Sequence, residues 1–256
     1  MRAIVSLVIF LALWSLALIV FNVPSYLVPS PWQLLEKTWF LLTKAGLLTH
    51  IPVTVFEILA GFAFGIVLGI GAAVLFVRYP LVENLLNPLI VFVQTAPKIA
   101  IAPLLLLWLG LGVTPKIVLV AIVTFFPILS NMLSSLRSLP STLEEFATML
   151  KLSPAQRIWR IELPQSLPML FSGMKVGATL AVTAAVIGEL MGAKAGLGYL
   201  LSLGQETADV SLVLVAVFIL SIIGYLLYLA IGYAERRMLS WHDSTNDSHQ
   251  LAQTEG

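Results

Sequence analysis

The sequence has no cysteine among its 256 residues, which excludes disulfide bonds, thiol chemistry and cysteine-ligated metal sites. Its three histidines, His50, His242 and His249, lie far apart in the sequence and form no cluster that could bind a metal ion. Charged residues are also scarce, at 11% of the chain against about 25% in a typical soluble domain. These absences argue against a soluble metalloprotein, and we expect the protein to carry no cofactor or metal.

Sequence motifs for nucleotide binding and for hydrolysis are missing as well. There is no G-x-x-x-x-G-K-[ST] loop, and the glycine-rich GLGVTPK and GAKAGLG segments are not phosphate cradles. Neither H-E-x-x-H nor G-x-S-x-G occurs, so an intramembrane hydrolase would lack an identifiable nucleophile and base. We therefore predict that the chain is not an enzyme, and that any ATP hydrolysis coupled to it takes place in a partner subunit.

Apolar residues, in contrast, make up 59% of the chain. Several runs exceed the roughly 18 apolar residues that mark a membrane-spanning helix. Pro88, Pro97 and Pro103 interrupt one of these runs, which indicates that it lines a cavity or contacts protein. The sequence thus predicts an all-α polytopic membrane protein with a retained first helix and about six spans, at 3–23, 52–77, 84–109, 115–136, 168–190 and 209–233.

The distribution of Lys and Arg between the loops predicts the orientation. With the N-terminus in the cytoplasm, one side of the membrane carries Arg2, Arg78, Arg137, Lys151, Arg157, Arg160, Arg236 and Arg237. The other side carries Lys37, Lys44, Lys116 and Lys194. The first side has more positive charge, so we expect both termini to be cytoplasmic.

A short helix is predicted outside the spans, in the sequence SPWQLLEKTWFLL. Ser30 is its N-cap, Pro31 occupies the first helical position, and Gln33 completes a capping box. Trp32 and Trp39 suit the interface between the membrane and water on the outer side.

The most polar stretch in the body of the chain is STLEEFATMLKLSPAQRIWRIELPQSLP, residues 141–168. Two capping-box patterns, Ser141 with Glu144 and Ser153 with Gln156, predict a helix–turn–helix on the cytoplasmic face. One face of the first helix is apolar and consists of Leu143, Phe146, Ala147 and Leu150.

Two interpretations of this stretch remain open from the residues alone. Arg157 and Arg160 would suit a linker that rests on anionic membrane lipid. Glu144 and Glu145 would be repelled by such a surface, and the double capping indicates a defined shape, as expected of a docking site for a partner.

The stretch EEFATMLKLSPAQRIWRIELPQSLP resembles the EAA loop of type I ABC importer permeases. Glu145, Ala147, Ile161, Leu163 and Pro164 match the pattern, whereas Phe146 replaces an alanine and Lys151 replaces the glycine. The missing glycine removes the easy left-handed turn at the helix end, although a lysine suits the negative end of the helix dipole. LVPSPWQLLEKTW, QTAPKIAIAPLLLLWLGLG, GELMGAKAGLGYLL and ERRMLSWH extend the resemblance to the nitrate, sulfonate, taurine and thiamine-precursor permeases.

The resemblance implies the type I ABC importer (MetI-like) permease fold with a cytoplasmic coupling helix. It also implies that two permease copies pair in the bacterial inner membrane, that two cytoplasmic ATPase subunits receive the loops, and that an extracytoplasmic solute-binding protein delivers a small polar solute. No nucleic acid partner is expected. The residues that the resemblance assigns to ATPase coupling are Glu144, Glu145, Phe146, Ala147, Leu150, Lys151, Ser153, Pro154, Arg157 and Pro164.

Within this frame the chain divides into an N-terminal helix with the interfacial helix (1–50), a permease domain (51–236, with the coupling loop at 137–168) and a polar tail (237–256). The tail is predicted to be disordered. The solute would be of the nitrate, sulfonate and taurine type or a thiamine-precursor pyrimidine, and TVFEILAGF and GELMGAKAGLGYL are slightly closer to the pyrimidine permeases.

Polar groups within the spans are candidates for the substrate pathway, because they usually face a cavity or one another. These candidates are Gln94, Lys98, Glu57 and Glu189, and Lys98 ranks first because it lies in mid-span beside Pro97. For Glu57 and Glu189, which we expect near the outer ends and partly hydrated, a structural ion pair is favoured over substrate contact. Lys175 is expected to snorkel to the cytoplasmic interface.

Small residues recur at four-residue steps on two spans: Gly61, Gly65, Gly69 and Ala73 on the second, and Gly173, Gly177, Ala181 and Ala185 on the fifth. Such faces let helices approach closely, and static packing is favoured over a sliding interface. The alternative function is a proton- or ion-coupled secondary transporter, in which Glu57 and Glu189 would carry protons. That class often shows two related halves, which this sequence lacks.

Overall fold

The computed structural model describes residues 2–44 and 46–239, with the backbone alone for residues 2–4, 6–8, 10 and 144. Helices dominate the described part, and no β-strand occurs in it. The helices are α1 (Arg2–Val20), α2 (Pro31–Thr43), α3 (Leu47–Arg78), α4 (Pro80–Thr95), α5 (Lys98–Leu109), α6 (Thr114–Arg137), α7 (Ser141–Met149), α8 (Pro154–Arg157), α9 (Leu163–Leu190), α10 (Leu197–Glu206) and α11 (Val210–Met238). A π-helical segment, Ile158–Glu162, joins α8 to α9.

The centre of the fold is a group of three helices, α3, α6 and α9, whose small residues permit close packing. A Cβ atom at Gly65 would lie 2.0 Å from Thr124 Oγ1, and one at Gly61 would lie 2.5 Å from Val120 Cβ. On α9, a Cβ at Gly173 would lie 2.9 Å from the carbonyl oxygen of Pro127. The two faces of small residues therefore pack inside this subunit, against α6, which agrees with static packing rather than a sliding interface.

Four helices in the described part are long and apolar enough to cross a membrane: Leu47–Arg78, Thr114–Arg137, Pro154–Leu190 and Val210–Met238. The predicted third span is not one helix, because α4 and α5 meet at a bend of 102°. The bend lies at Ala96 and Pro97, where the proline disfavours helical geometry in the preceding residue, and Ala96 has ψ 137°. Counted as one span, the bent pair makes a fifth. α1 lies at the predicted first span but ends at Val20 rather than at 23, and its described part counts only as a shorter apolar helix, Leu11–Val20. The described residues therefore contain up to five of the six predicted spans.

The predicted second helix of the polar stretch is not separate from the fifth span. α8, the π-helical segment and α9 form one apolar span of 37 residues that begins at Pro154, well before the predicted start at 168. Pro164 lies in the first turn of α9 and does not break it. The wider π-helical turn lies where the proline ring would otherwise clash with the Arg160 carbonyl.

The end of the bundle that carries α7 and α8 is called the loop end, and the other end the distal end. At the distal end, α2 and α10 pack against α11 through a second apolar cluster that includes Leu34, Leu41, Leu197, Leu200 and Leu212. The predicted capping box of α2 is confirmed, since Ser30 and Gln33 exchange hydrogen bonds of 2.8 and 3.3 Å. α10 was not predicted, and α11 runs to Met238, two residues into the predicted tail; residues from 240 onward lie outside the described part.

Candidate functional site

The predicted coupling loop begins with α7, whose start differs from the prediction by one residue. Ser141 is the first helical residue rather than the N-cap, and no side chain caps this helix end in the described part. Pro140 occupies the cap position with ψ 137°, and its carbonyl oxygen accepts a hydrogen bond of 3.0 Å from the Leu143 N–H. The Ser141 capping box is therefore wrong, because the extended residue that must precede a helix is the proline.

α7 ends in a Schellman motif centred on Lys151. The Leu152 N–H donates to the Ala147 carbonyl over 3.1 Å, and the Lys151 N–H donates to the Thr148 carbonyl over 3.0 Å. Lys151 itself has φ +49°, in the left-handed region that favours glycine. The chain thus makes the turn that the resemblance assigns to a glycine, with a lysine at the strained position.

The start of α8 agrees with the sequence prediction. Ser153 Oγ accepts a hydrogen bond from the Gln156 N–H over 3.3 Å, and Gln156 Oε1 accepts one from the Ser153 N–H over 2.9 Å. Pro154 occupies the first helical position, where its missing N–H costs nothing. The turn between α7 and α8 is therefore fixed on both sides.

The exposed apolar side chains of the loop differ from the predicted stripe. Phe146 is 53% exposed, Leu150 54% and Met149 78%, whereas Ala147 is only 4% exposed. Ala147 was predicted to contact a partner, but it is buried within this subunit, so the surface that a partner could touch includes Met149 instead. Glu145, Lys151, Ser153 and Pro154 are exposed as well, and Pro164 is partly buried.

An ion-pair cluster that no sequence pattern indicates lies beneath the loop. Glu162 is buried, and its Oε1 atom accepts hydrogen bonds from Arg78 Nη2 over 2.6 Å and from Arg157 Nε over 2.7 Å. Arg157 was assigned to partner contact, but its guanidinium group binds inside the subunit. A second ion pair at the loop end joins Arg137 to Glu83.

A buried charge network occupies the distal half of the bundle. Lys116 Nζ donates to Glu57 Oε1 over 2.8 Å, and both side chains are buried. Glu189 is also buried and accepts a hydrogen bond of 2.6 Å from Thr54 Oγ1. The expectation that Glu57 and Glu189 are partly hydrated is wrong, and Lys116 belongs to this network rather than to an outer loop, because the first turn of α6 packs against α9.

The same network holds the N-terminus of α10. The Gly196, Leu197 and Gly198 N–H groups donate in turn to His50 Nδ1 over 3.1 Å, Thr54 Oγ1 over 2.8 Å and Glu189 Oε2 over 2.5 Å. Side chains from other helices thus satisfy the N–H groups that a helix start leaves unpaired. A Cβ at Gly196 would lie 2.1 Å from Glu189 Oε1 and one at Gly198 would lie 2.6 Å from Glu189 Cβ, which explains these two glycines of the GAKAGLG segment.

Gln94 and Lys98 lie together at the bend between α4 and α5. Lys98 Nζ donates a hydrogen bond to the backbone carbonyl oxygen of Gln94, so it satisfies a carbonyl at the end of α4. The four predicted pathway residues therefore fall into two groups, one at this bend and one in the buried network. Among the described residues, no three His, Asp or Glu side chains come close enough to hold a metal ion.

Comparison with known proteins gives consistent matches over most of the chain. The family described as binding-protein-dependent transport system inner membrane component matches residues 65–240. The riboflavin transport system permease protein RibX of Chloroflexus aurantiacus is 32% identical over 240 residues, which cover 94% of this chain and 90% of RibX. The formylaminopyrimidine transport permease protein ThiX of Halalkalibacterium halodurans is 35% identical over 231 residues, which cover 90% of this chain and 92% of ThiX.

The fold is similar to that of a solved structure of the MetNI methionine ABC transporter in an inward-facing conformation. The TM-score is 0.67 at 21% identity, and the match covers 75% of this chain and 95% of the solved one. These matches confirm the predicted fold, do not favour a secondary transporter, and place ATP hydrolysis in a separate subunit. The chain belongs to the family of binding-protein-dependent transport system inner membrane components and is the permease subunit of an ABC importer.

Proposed function

We propose that the α7–α8 loop docks the ATPase subunit through an apolar patch formed by Phe146, Met149 and Leu150. The observation that carries this proposal is the exposure of these three side chains on a helix whose end is fixed by a Schellman motif. A pre-formed apolar surface loses little conformational freedom on binding, which favours affinity. Exposed Glu145 lies beside the patch and would orient the partner through charge-assisted hydrogen bonds.

Membrane lipid is the competing occupant of this surface. Trp159 and Arg160 are both exposed and would suit the interface between lipid and water. They lie beyond α8, however, in the π-helical segment that enters the span. We therefore assign Trp159 and Arg160 to the membrane surface, and the α7 patch to the ATPase.

The test is co-purification of the tagged Phe146→Asp permease with its ATPase in detergent. Loss of a well-packed anchor costs about 2 kcal/mol or more, so we expect most of the ATPase to be lost. Leu111→Asp is the matched control, because Leu111 is an equally apolar, exposed residue at the distal end, and it should retain the ATPase. Full retention by Phe146→Asp would refute the docking role.

Glu145→Lys provides a second test that separates the two occupants. A docking surface loses an orienting charge, so ATPase retention should fall. A lipid-resting loop gains attraction to an anionic leaflet, so retention should be unchanged. Ala147→Arg does not serve this purpose, because Ala147 is buried and the change would disrupt α7 itself.

We further propose that the substrate pathway lies along α4 and the bend, between two copies of the permease. No described side chain of α4 is fully buried, and the helix exposes Asn84, Asn87 and Gln94. Lipid cannot satisfy such groups, so a second copy or a water-filled path should cover them. Lys98→Met should leave complex assembly intact and reduce solute uptake, and normal uptake would limit Lys98 to capping α4.

For the solute, we propose a pyrimidine-containing heterocycle. The names of the relatives RibX and ThiX refer to riboflavin and formylaminopyrimidine, and both molecules contain a pyrimidine ring. Uptake of labelled formylaminopyrimidine, riboflavin and taurine into proteoliposomes that contain the complete importer and its binding protein would test this. Transport of taurine alone would assign the chain to the sulfonate type.

A further inference from the structure

The π-helical segment creates a contact that an α-helix could not make. Arg157 and Glu162 are five residues apart, which in an α-helix of 3.6 residues per turn places them about 140° apart around the axis. In the π-helical segment Ile158–Glu162 the Leu163 N–H bonds to the Ile158 carbonyl, five residues earlier. This wider turn brings the Arg157 guanidinium within 2.7 Å of Glu162 Oε1.

Glu162 Oε1 also binds a residue of a third segment, the C-terminal end of α3. Arg78, the last residue of α3, donates to Glu162 Oε1 over 2.6 Å. Glu162 is buried, and the side chains of Arg78 and Arg157 are both about a quarter exposed, at 28%. Hydrogen bonds between charged groups that are shielded from water are stronger than those at an open surface. One oxygen atom therefore ties together α8, the start of α9 and the end of α3.

We propose that Glu162 is a positioning residue for energy coupling, which transmits movement of the α7–α8 loop to the transmembrane bundle. α3 and α9 both pack tightly against α6 through glycine contacts, so they respond together rather than separately. A loop fixed to both helices must move them when it moves, whereas a loop joined only through the backbone could flex alone. The proposal rests on the docking function proposed above for the α7 patch.

The chain offers a matched control for this role. The ion pair of Arg137 and Glu83 lies at the same end of the bundle and joins the end of α6 to the start of α4. Its arginine side chain is more exposed, at 54%, and the pair does not include the α8 or π-helical residues. Neutralising this pair removes a salt bridge from the loop end without releasing the α8 contact.

The experiment compares Glu162→Gln with Arg137→Gln in the complete importer, reconstituted with its ATPase and binding protein in proteoliposomes; Arg137 is on α6 and not on the proposed pathway helix α4. The readout is the number of solute molecules transported per ATP hydrolysed. A loss of folded protein lowers the rate of solute transport and the rate of ATP hydrolysis by the same factor. The ratio therefore does not change if Glu162 has only a structural role. We expect Glu162→Gln to retain the ATPase and to lower the ratio by about fivefold or more, the lower range of coupling between sites.

The control Arg137→Gln, which neutralises the ion pair with Glu83, should keep the ratio within about twofold of the unmodified importer, below that range. An unchanged ratio in Glu162→Gln would overturn the proposal, and so would loss of the ATPase from that variant, which would make Glu162 part of the docking surface. Should Glu162→Gln fail to fold, Arg78→Gln must lower the ratio and Arg78→Lys must restore it. The docking proposal fails separately, when Phe146→Asp retains the ATPase.

Discussion

Glu189 and Gly198 are joined by a hydrogen bond in which the Gly198 N–H donates to Glu189 Oε2 over 2.5 Å. The bond fixes the first turn of α10 to the end of α9, in a place where the backbone approaches the Glu189 side chain too closely for any residue except glycine. A Cβ at Gly198 would lie 2.6 Å from Glu189 Cβ and 3.0 Å from the Val186 carbonyl oxygen. The glycine is thus required by its neighbours and not by its own φ angle.

Gly198→Ala should therefore destabilise the permease by about 1–3 kcal/mol, the usual cost of overpacking a well-packed site. Thermal unfolding of the purified subunit in detergent measures this. Gly71→Ala is the control, because a Cβ there meets no atom within 4 Å and alanine favours the helix. Equal unfolding temperatures for the two variants would contradict the role assigned to Gly198.

Lys116→Met should destabilise the subunit by about 3–5 kcal/mol, because it leaves the buried Glu57 carboxylate without its cation. Adding Glu57→Gln to that variant should recover much of the loss, since the unpaired charge is then removed. Chemical denaturation of the single and double variants measures the difference. If the losses of stability caused by Lys116→Met and Glu57→Gln are additive in the double variant, the ion pair does not explain the destabilisation by Lys116→Met.

Lys151→Gly should stabilise the α7–α8 loop by about 1 kcal/mol, since a residue other than glycine is strained at φ +49°. Lys151→Val should have the opposite effect, because a β-branched residue is least tolerant of positive φ. Hydrogen exchange of the α7–α8 backbone measures both changes. Slower exchange in the valine variant would exclude strain as the cause.

The orientation of the permease in the membrane stays a prediction from its charges, and with Lys116 buried the side predicted to face outward carries Lys37, Lys44 and Lys194. We expect both termini to be cytoplasmic and the distal end to face outward. A reporter enzyme that is active only outside the cytoplasm should be silent when fused after Trp241 and active when fused after Lys194. The reverse pattern would invert the assigned orientation.

Local patterns in the sequence determined the class of the protein, most of its helices and the position of the α7–α8 loop. Apolar runs predict spans because the bilayer requires a fixed length of apolar helix. The capping boxes at Ser30 and Ser153 were predictable because each involves residues only three apart. At Ser141 the same pattern failed, because Pro140 supplies the extended residue before the helix.

Tertiary structure alone decided which charges are buried and which loop residues are exposed. Lys116 and Glu57 are 59 residues apart, and Thr54 and Glu189 are 135 apart, so no sequence period relates them. The apolar periodicity of α7 could not show that Ala147 faces the subunit, because the orientation of a helix depends on what packs against it. The contact of Arg157 with Glu162 depends likewise on a π-helical turn, which changes the direction of every later side chain relative to an α-helix.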